Sequence, residues 1–535
     1  MRFGTAGIRA PMGPGPDRMN RETVRRASAG LAEFVRRRAA AGTVLVGHDA
    51  RRCSERFARD AAAVFAGAGL RGLLIDGAVP TPVLAHRALT VGAEAAVMVT
   101  ASHNPATDNG YKVYGSDAVQ IIPPDDEQIS ALIDAVGGDD EIVTGTPETL
   151  AAQAAIAGYV EEVVPAALAH VSAERDVNVV YTPVHGVGAA TLERAFAAAG
   201  FPAPRIVAEQ RAPDPEFPTA RRPNPEEPGV IDLALRDARA AGADLVLAND
   251  PDADRLAVAV PWEGAPGGWR MLTGDEVGAL LADELLGGAP GPEHRLLVTT
   301  VVSSTLLERQ AAAAGARFAR TLTGFKWIMH ARASGAAFLF GYEQALGYGV
   351  TDRVRDKDGI SAALAMAAIA ARARAEGSSV RARLDALAER FGLHATAERA
   401  LALDGVGGGA DGDSDGDDPD DGGIDAGEAI DRLLAVPPRE LAGRAVTAVD
   451  DLSTGTRRAP DGAVGSLGLP PSTGVIVHAG EDVRLAVRPS GTEPKLKLYL
   501  QVVLPVAPGG ADAARARADA MLRSLERETE ELIGR

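Results

Sequence analysis

The sequence predicts an α/β protein whose sheets are mostly parallel and covered by helices, closed by a smaller α+β domain. Two observations carry this reading. Apolar strand candidates alternate with helical stretches along most of the chain, and near the C-terminus that alternation gives way to consecutive strands. Strands are expected at Thr43–Gly47, Gly72–Ile75, Ala95–Val99, Val177–Tyr181, Leu245–Ala248, Leu256–Val260, Leu296–Val302 and Ala337–Phe340. Between them lie stretches rich in Ala, Arg and Glu, read as helices at Glu22–Arg38, Glu55–Ala68, Thr191–Ala199, Gly229–Ala241 and Gly274–Leu286. Val475–Val477, Val483–Val487 and Leu496–Val503 then follow as strands with little helix between them, and Ala511–Ile533 reads as a closing helix. Boundaries are expected near Ser172, Pro290 and Phe391, giving domains at residues 1–172, 173–290, 291–391 and 392–535.

Length and composition agree. A chain of 535 residues suits three or four domains better than one. Hydrophobic residues make up 46% of it, enough for real cores, and only 4% is aromatic. No apolar run approaches membrane-spanning length, and Met1–Ala10 lacks a secretory signal pattern, so no membrane partner is expected. A single cysteine, Cys53, allows neither an internal disulfide nor a metal cluster and fits a cytoplasmic location. It is expected to be small apolar filler. The net charge of −18 excludes a general nucleic-acid binder, which needs a basic field. Part of that charge is local, in the Asp/Gly-rich run 404–425. Its opening DGDSDG imitates a calcium loop through Asp411, Asp413, Asp415 and Gly416, but the twelfth position is Gly422 rather than a bidentate glutamate. The run is expected to be a disordered, solvated loop.

Four short segments carry the chemistry. In TASHNP, Thr100–Pro105, a serine follows directly on an apolar strand, where α/β sheets place ligands at the carboxyl edge. In DPDADR, Asp250–Arg255, three carboxylates alternate; an extended segment points alternate side chains the same way, so Asp250, Asp252 and Asp254 can converge. Converging carboxylates repel unless a hard cation sits among them, and an oxygen-only set favours Mg²⁺ over zinc. Arg255 follows and suits an anion beside the metal. RPSGTEPK, Arg488–Lys495, packs Arg, Ser, Gly, Thr and Lys into eight residues, a composition suited to a phosphate nest. GYEQALGY, Gly341–Tyr348, has glycines around one carboxylate, Glu343, suited to vicinal sugar hydroxyls. The cations Arg9, Lys112, Arg255, Lys326, Lys357 and Arg488 fall in or near such loops, so the basic field is local to a cleft.

With these four motifs in this order, the chain resembles the α-D-phosphohexomutase superfamily, the phosphoglucomutase/phosphomannomutase enzymes. Further echoes are FGTAGIR at Phe3–Arg9, VGHDAR at Val46–Arg51, TGFKW at Thr323–Trp327 and RDKDG at Arg355–Gly359. The resemblance implies three related α/β domains with mixed sheets plus a C-terminal α+β domain, heart-shaped around a central cleft. It implies a phosphosugar mutase in which Ser102 carries a phosphoryl group and Mg²⁺ is held by Ser102, Asp250, Asp252 and Asp254. A sugar bisphosphate is the implied intermediate and activator, and phosphate moves between O1 and O6, or O1 and O5 of a pentose. Arg9, His103, Lys112 and Lys357 become candidates for phosphate stabilisation or proton transfer. Arg255, Lys326, Glu343, Gln344, Arg488, Ser490, Gly491 and Thr492 become candidates for binding the phosphosugar. The Glu343-Gln344 pair lies closest to the branch that includes phosphopentomutase-like enzymes, which leaves the choice among glucose, mannose and pentose open. That branch commonly has helical sequence ahead of FGTAGIR, so either the start is shorter here or Met1 is internal. A monomer or weak homo-oligomer is expected.

Two rival classes stay in view. A Mg²⁺-dependent phosphatase would use Asp250 or Asp252 as nucleophile, which leaves Ser102 and the phosphate nest without work. A sugar-phosphate sensor would keep Glu343 and Arg488 but would not need Ser102 or the three aspartates. No Ser-His-Asp triad is expected from His103, because neighbours on an extended loop point in different directions.

Overall fold

The computed structural model describes residues 7–403, 424–491 and 495–534. Residues 404–423 of the Asp/Gly run, with Asp411, Asp413, Asp415, Gly416 and Gly422, lie outside the described residues, as does Thr492. The chain divides into two compact units, one holding residues 1–299, 310–320 and 324–383, the other residues 300–309, 321–323 and 384–535.

Three mixed sheets organise the first part of the chain. The first has the order Ile8–Pro11, Asp108–Tyr114, Ala95–Val99, Thr43–His48, Arg71–Asp76, Glu148–Ala151. Thr43–His48 pairs in parallel with both Arg71–Asp76 and Ala95–Val99, while Asp108–Tyr114 returns antiparallel beside Ala95–Val99. The central strands are apolar and buried, as a sheet covered on both faces requires. In the second sheet, Val179–Thr182 and Leu245–Ala248 run parallel and Ala257–Pro261 returns antiparallel. In the third, Arg295–Thr300 and Ala337–Glu343 run parallel and Gly347–Gly349 returns antiparallel.

This repetition corrects one expectation. The chemistry-bearing loops do not simply leave the carboxyl edge of parallel strands; each joins a parallel strand to its antiparallel partner. Residues 100–107, 249–256 and 344–346 occupy the same place in three successive sheets. The strand Asp108–Tyr114 begins with Asp108, Asn109 and Gly110, residues that read as loop in the sequence.

The helix Gly359–Ala375 was missed for a different reason. It is buried almost all round, so it has no polar stripe for a helical period to reveal. Asp358 starts it, its Oδ1 accepting from the amides of Ile360 and Ser361 at 3.0 and 3.1 Å. Cys53 is also corrected: it is exposed, with φ 64° just ahead of the helix Ser54–Gly67, and fills no core.

The second unit is built on an antiparallel sheet in the order Leu393–Ala402, Lys495–Leu504, Val483–Pro489, Val475–Ala479, Arg444–Asp451, Thr456–Arg458, Val464–Ser466. The helix Ala511–Leu532 buries Ala511, Ala514, Ala518, Leu522 and Leu525, a three-and-four spacing that makes one apolar stripe against the sheet. Among the described residues no helix is long and apolar enough to cross a membrane.

Candidate active site

Ser102 lies in the first of the three equivalent loops, buried, with φ 53°. A non-glycine residue in this left-handed region costs about 1–2 kcal/mol, so its surroundings must hold it there. Its amide donates to Thr100 Oγ1 at 2.9 Å, and that hydroxyl donates to Asp49 Oδ2 at 2.6 Å. Its carbonyl accepts from Arg51 Nη2 at 2.6 Å. The turn brings Ser102 Oγ to 2.6 Å from Asp250 Oδ2 and 3.3 Å from His103 Nδ1. The loop is therefore not extended here, and the two neighbouring side chains do meet. Burial, then Arg255 and Arg9, hold His103 well below the usual histidine range, so it is neutral near pH 7.

The three aspartates converge, but not as alternate residues of a strand. Residues 250–254 form a turn with Ala253 at φ 55°, and this turn brings one oxygen from each of Asp250, Asp252 and Asp254 within 4.8 Å of the others. All three are buried. Asp250 Oδ1 accepts from the Arg255 amide at 3.0 Å. Asp252 Oδ2 accepts from Thr81 Oγ1 at 2.6 Å and Lys112 Nζ at 2.7 Å. Asp254 Oδ2 accepts from Lys112 Nζ at 2.9 Å, with Lys357 Nζ 3.3 Å away.

The charges divide unevenly. Burial, together with Asp252 and Asp254, raises the Asp250 carboxyl well above the carboxylate range. Burial acts the same way on the other two, yet Lys112 outweighs it at Asp252, and Lys112, Lys357 and Arg255 outweigh it at Asp254. Both end below their usual values. Reciprocally, Lys112 and Lys357 are raised, their aspartate partners overcoming desolvation. Asp356 backs Lys357: its Oδ2 accepts from Tyr114 and Gln120 at 2.7 and 2.8 Å, and its Oδ1 accepts from the Lys357 amide at 2.8 Å. Arg9 is half-buried on Ile8–Pro11; desolvation lowers it, opposed by Asp252 and Asp254.

The GYEQALGY segment docks on the aspartate turn. Arg255 bridges to Gly347, the Leu256 amide donates to the Leu346 carbonyl at 3.0 Å, and Arg255 Nη1 donates to the Ala345 carbonyl at 3.1 Å. Glu343 ends the strand Ala337–Glu343, near enough to Arg255 and Lys357 to affect both. A Cβ on Gly347 would sit 2.5 Å from Lys357 Cδ and 2.9 Å from Glu343 Cγ, so a side chain there would have to displace both. Gln344 follows, its backbone packed so closely on Gly274 that a Cβ there would meet the carbonyl oxygen at 1.9 Å.

Ser102, His103, Lys112, Asp250, Asp252, Asp254, Arg255, Glu343 and Lys357 are thus joined by direct contacts or electrostatic neighbours in one region. Lys326 is buried with its amine 3.4 Å from the Ile121 carbonyl, beside the first sheet's outgoing chain rather than on the aspartates. Arg488, Ser490 and Gly491 belong to the second unit, where the Ser490 amide closes a hairpin on the Lys495 carbonyl at 2.8 Å. Sequence reading passed over Asp49, Arg51, Thr81 and Asp356. The first two stood in VGHDAR, an Asp-x-Arg pair straight after a buried strand, which is the same signal that singled out Ser102.

Asp252 Oδ1 and Asp254 Oδ1 are buried and accept no hydrogen bond among the described residues, although Arg255 Nε lies 3.9 Å from Asp254 Oδ1. A buried carboxylate oxygen left bare costs several kcal/mol unless something compensates it. The donor set is all oxygen, so these atoms, with Asp250 and Ser102 Oγ, fit a hard divalent cation.

Models of the phosphoglucomutase/phosphomannomutase α/β/α domains I, II and III match residues 1–138, 157–263 and 273–391. The chain is 37% identical over 517 residues to a Haemophilus influenzae protein named "Probable phosphomannomutase", covering 95% of this chain and 98% of that one. It is 34% identical to the phosphopentomutase of Homo sapiens, with 97% and 87% covered. Its fold matches a phosphoglucomutase/phosphomannomutase family protein from Burkholderia thailandensis with a TM-score of 0.70 at 21% identity, over 99% and 97% of the two chains. The mixed sheets, the repeated loop position and these matches agree: the chain belongs to the phosphoglucomutase/phosphomannomutase enzymes of the α-D-phosphohexomutase superfamily, isomerases that move a phosphoryl group within a sugar phosphate.

Proposed function

We propose that the protein interconverts hexose 1-phosphate and 6-phosphate, of glucose or mannose, through a phosphoryl group carried on Ser102. The observation that carries this reading is the buried Ser102 Oγ held 2.6 Å from Asp250, beside two carboxylate oxygens that accept no hydrogen bond among the described residues. A divalent cation on Asp250, Asp252 and Asp254 would draw charge from the phosphoryl oxygens there. In the forward half, the bond from Ser102 Oγ to phosphorus breaks as the free hydroxyl of the sugar monophosphate bonds to the same phosphorus. The hydroxyl proton leaves to a nearby base. The resulting bisphosphate turns over, and the bond from its other phosphorylated sugar oxygen to phosphorus breaks as Ser102 Oγ, giving up its proton, bonds to that phosphorus; the freed sugar oxygen takes a proton, which restores the phosphoenzyme and releases the isomer.

The chain's own groups fit parts of that cycle. Lys112 and Lys357 neutralise Asp252 and Asp254, so the site does not face an anionic substrate as three bare charges. His103, neutral and 3.3 Å from Ser102 Oγ, suits proton transfer at that atom. Glu343 and Gln344 would take sugar hydroxyls; Arg488, Ser490, Gly491 and Thr492 would hold the phosphate that is not reacting, with Arg9, Arg255 and Lys326 as further anion contacts. The four domains would run over residues 1–172, 173–290, 291–391 and 392–535, with a sugar bisphosphate as activator.

A pentose substrate is the second reading, favoured by the human relative named phosphopentomutase. An isomerisation assay with Mg²⁺ and catalytic sugar bisphosphate, run on glucose 1-phosphate, mannose 1-phosphate and ribose 1-phosphate, ranks the sugars by kcat/KM. Turnover that disappears in Ser102→Ala is the expected result. Phosphate release without isomerisation, surviving Ser102→Ala, would favour a phosphatase.

A further inference from the structure

Arg51 is buried, 5% exposed, and its guanidinium meets four backbone carbonyls of a single loop. Nη2 donates to Ser102 at 2.6 Å and Asn104 at 2.5 Å; Nη1 donates to Pro105 at 2.7 Å and Asp108 at 3.2 Å. Its carboxylate neighbour, Asp49, is 3.5 Å from Nε and spends its oxygens elsewhere: Oδ1 on the Arg51 amide and Ser54 Oγ, Oδ2 on Thr100 Oγ1. The carbonyls therefore replace water around this buried cation. Phe217 closes the other side, its ring centroid 4.9 Å from the guanidinium carbon.

The arrangement bears on the strained turn at Ser102. Rotation φ turns the peptide plane before a residue, and ψ the plane after it. Thr100 Oγ1 holds the amide of the first plane and Arg51 holds the carbonyl of the second, so both rotations are pinned. Thr100 is itself anchored to Asp49, and Asp49 to the Arg51 amide. Released from this pair, Ser102 would relax from φ 53° toward an ordinary conformation, carrying Oγ off the line to Asp250.

We infer that Arg51 is a positioning residue for phosphoryl transfer: its fork on four carbonyls keeps Ser102 Oγ aimed at the aspartate turn while never touching the reacting atoms. This rests on Ser102 being the nucleophile. Lysine cannot replace it, because an ammonium has three donors and no planar fork to span carbonyls on two sides of the loop.

The test compares Arg51→Lys, Arg51→Ala and Ser102→Ala by steady-state isomerisation and by hydrogen exchange of residues 98–110. In Arg51→Lys, kcat should fall on the order of 10²-fold with KM within about threefold, since only the aim of Oγ is lost. Exchange should rise in 98–110 and stay unchanged in the strands Thr43–His48 and Arg71–Asp76. Added guanidinium should restore part of the activity of Arg51→Ala. Wild-type kcat in Arg51→Lys, unchanged exchange in 98–110, or loosening of the whole sheet without rescue would each overturn the inference. Turnover that survives Ser102→Ala would strike the nucleophile instead; the exchange readout needs no activity and still decides the clamp.

Discussion

Carboxylates are buried in two very different ways in this molecule. In the second unit, Asp450 uses both oxygens: Oδ1 accepts from Arg457 Nε at 2.6 Å, and Oδ2 from Arg457 Nη2 and His478 Nε2, each at 2.8 Å. At the aspartate turn, Asp252 and Asp254 each accept hydrogen bonds on one oxygen, while the other accepts none among the described residues. The first cluster is complete as it stands and supports the sheet. The second is incomplete by two acceptors, in a place where bare acceptors are costly. The two clusters thus differ in how fully their oxygens are hydrogen-bonded rather than in acidity or burial.

The comparison breaks most visibly under substitution of a bare carboxylate. Asp252→Asn should reduce turnover on the order of 10³-fold, because it removes one oxygen ligand and one charge partner of Lys112. Chelation of divalent cations should silence the wild type, and Mg²⁺ should restore it; activity unchanged by chelation would show that the bare oxygens serve no cation. A thermal melt sharpens the same point without substrate. Mg²⁺ at 100 times its Kd should stabilise the wild type by about 2.7 kcal/mol, and Asp450→Asn should keep that gain while Asp252→Asn loses it.

Asp450→Asn should in turn cost stability and leave kcat unchanged. Burial alone would raise its carboxyl; Arg457 and His478 more than offset this and hold it at about 2. A depressed carboxylate adds stability above its unfolded pKa and loses it as pH falls through the folded one. Its contribution, on the order of 2–3 kcal/mol at pH 7, should therefore fade between roughly pH 5 and 2, and acid titration of the variant should lack that component. The smallest effect concerns Ala253 at φ 55°. Ala253→Gly should change stability by less than about 1 kcal/mol, whereas Ala253→Val should cost about 2 kcal/mol, seen in denaturant midpoints.

The loops were legible in the sequence because polar motifs interrupt apolar strands, and their order along the chain carried the family. Their geometry was not. Alternation in DPDADR suggested an extended display, yet convergence comes from a turn whose left-handed residue is an alanine, a type that gives no signal of positive φ. The same holds for Ser102, which an extended reading separates from His103. Asp108–Tyr114 and Gly359–Ala375 were hidden by opposite causes, a strand that begins with turn residues and a helix with no polar face. Arg51 stood in plain view, but its role lies in contacts up to 57 residues away along the chain.

Central to the account is a phosphoryl group that rests on Ser102 and leaves for the sugar. The most direct measurement incubates the protein with sugar bisphosphate and Mg²⁺, digests it, and locates the phosphorylated peptide by mass spectrometry before and after adding sugar monophosphate. The account predicts one phosphoryl group on Ser102 that is discharged on addition. No label, or an acid-labile label on Asp250 or Asp252, would contradict it.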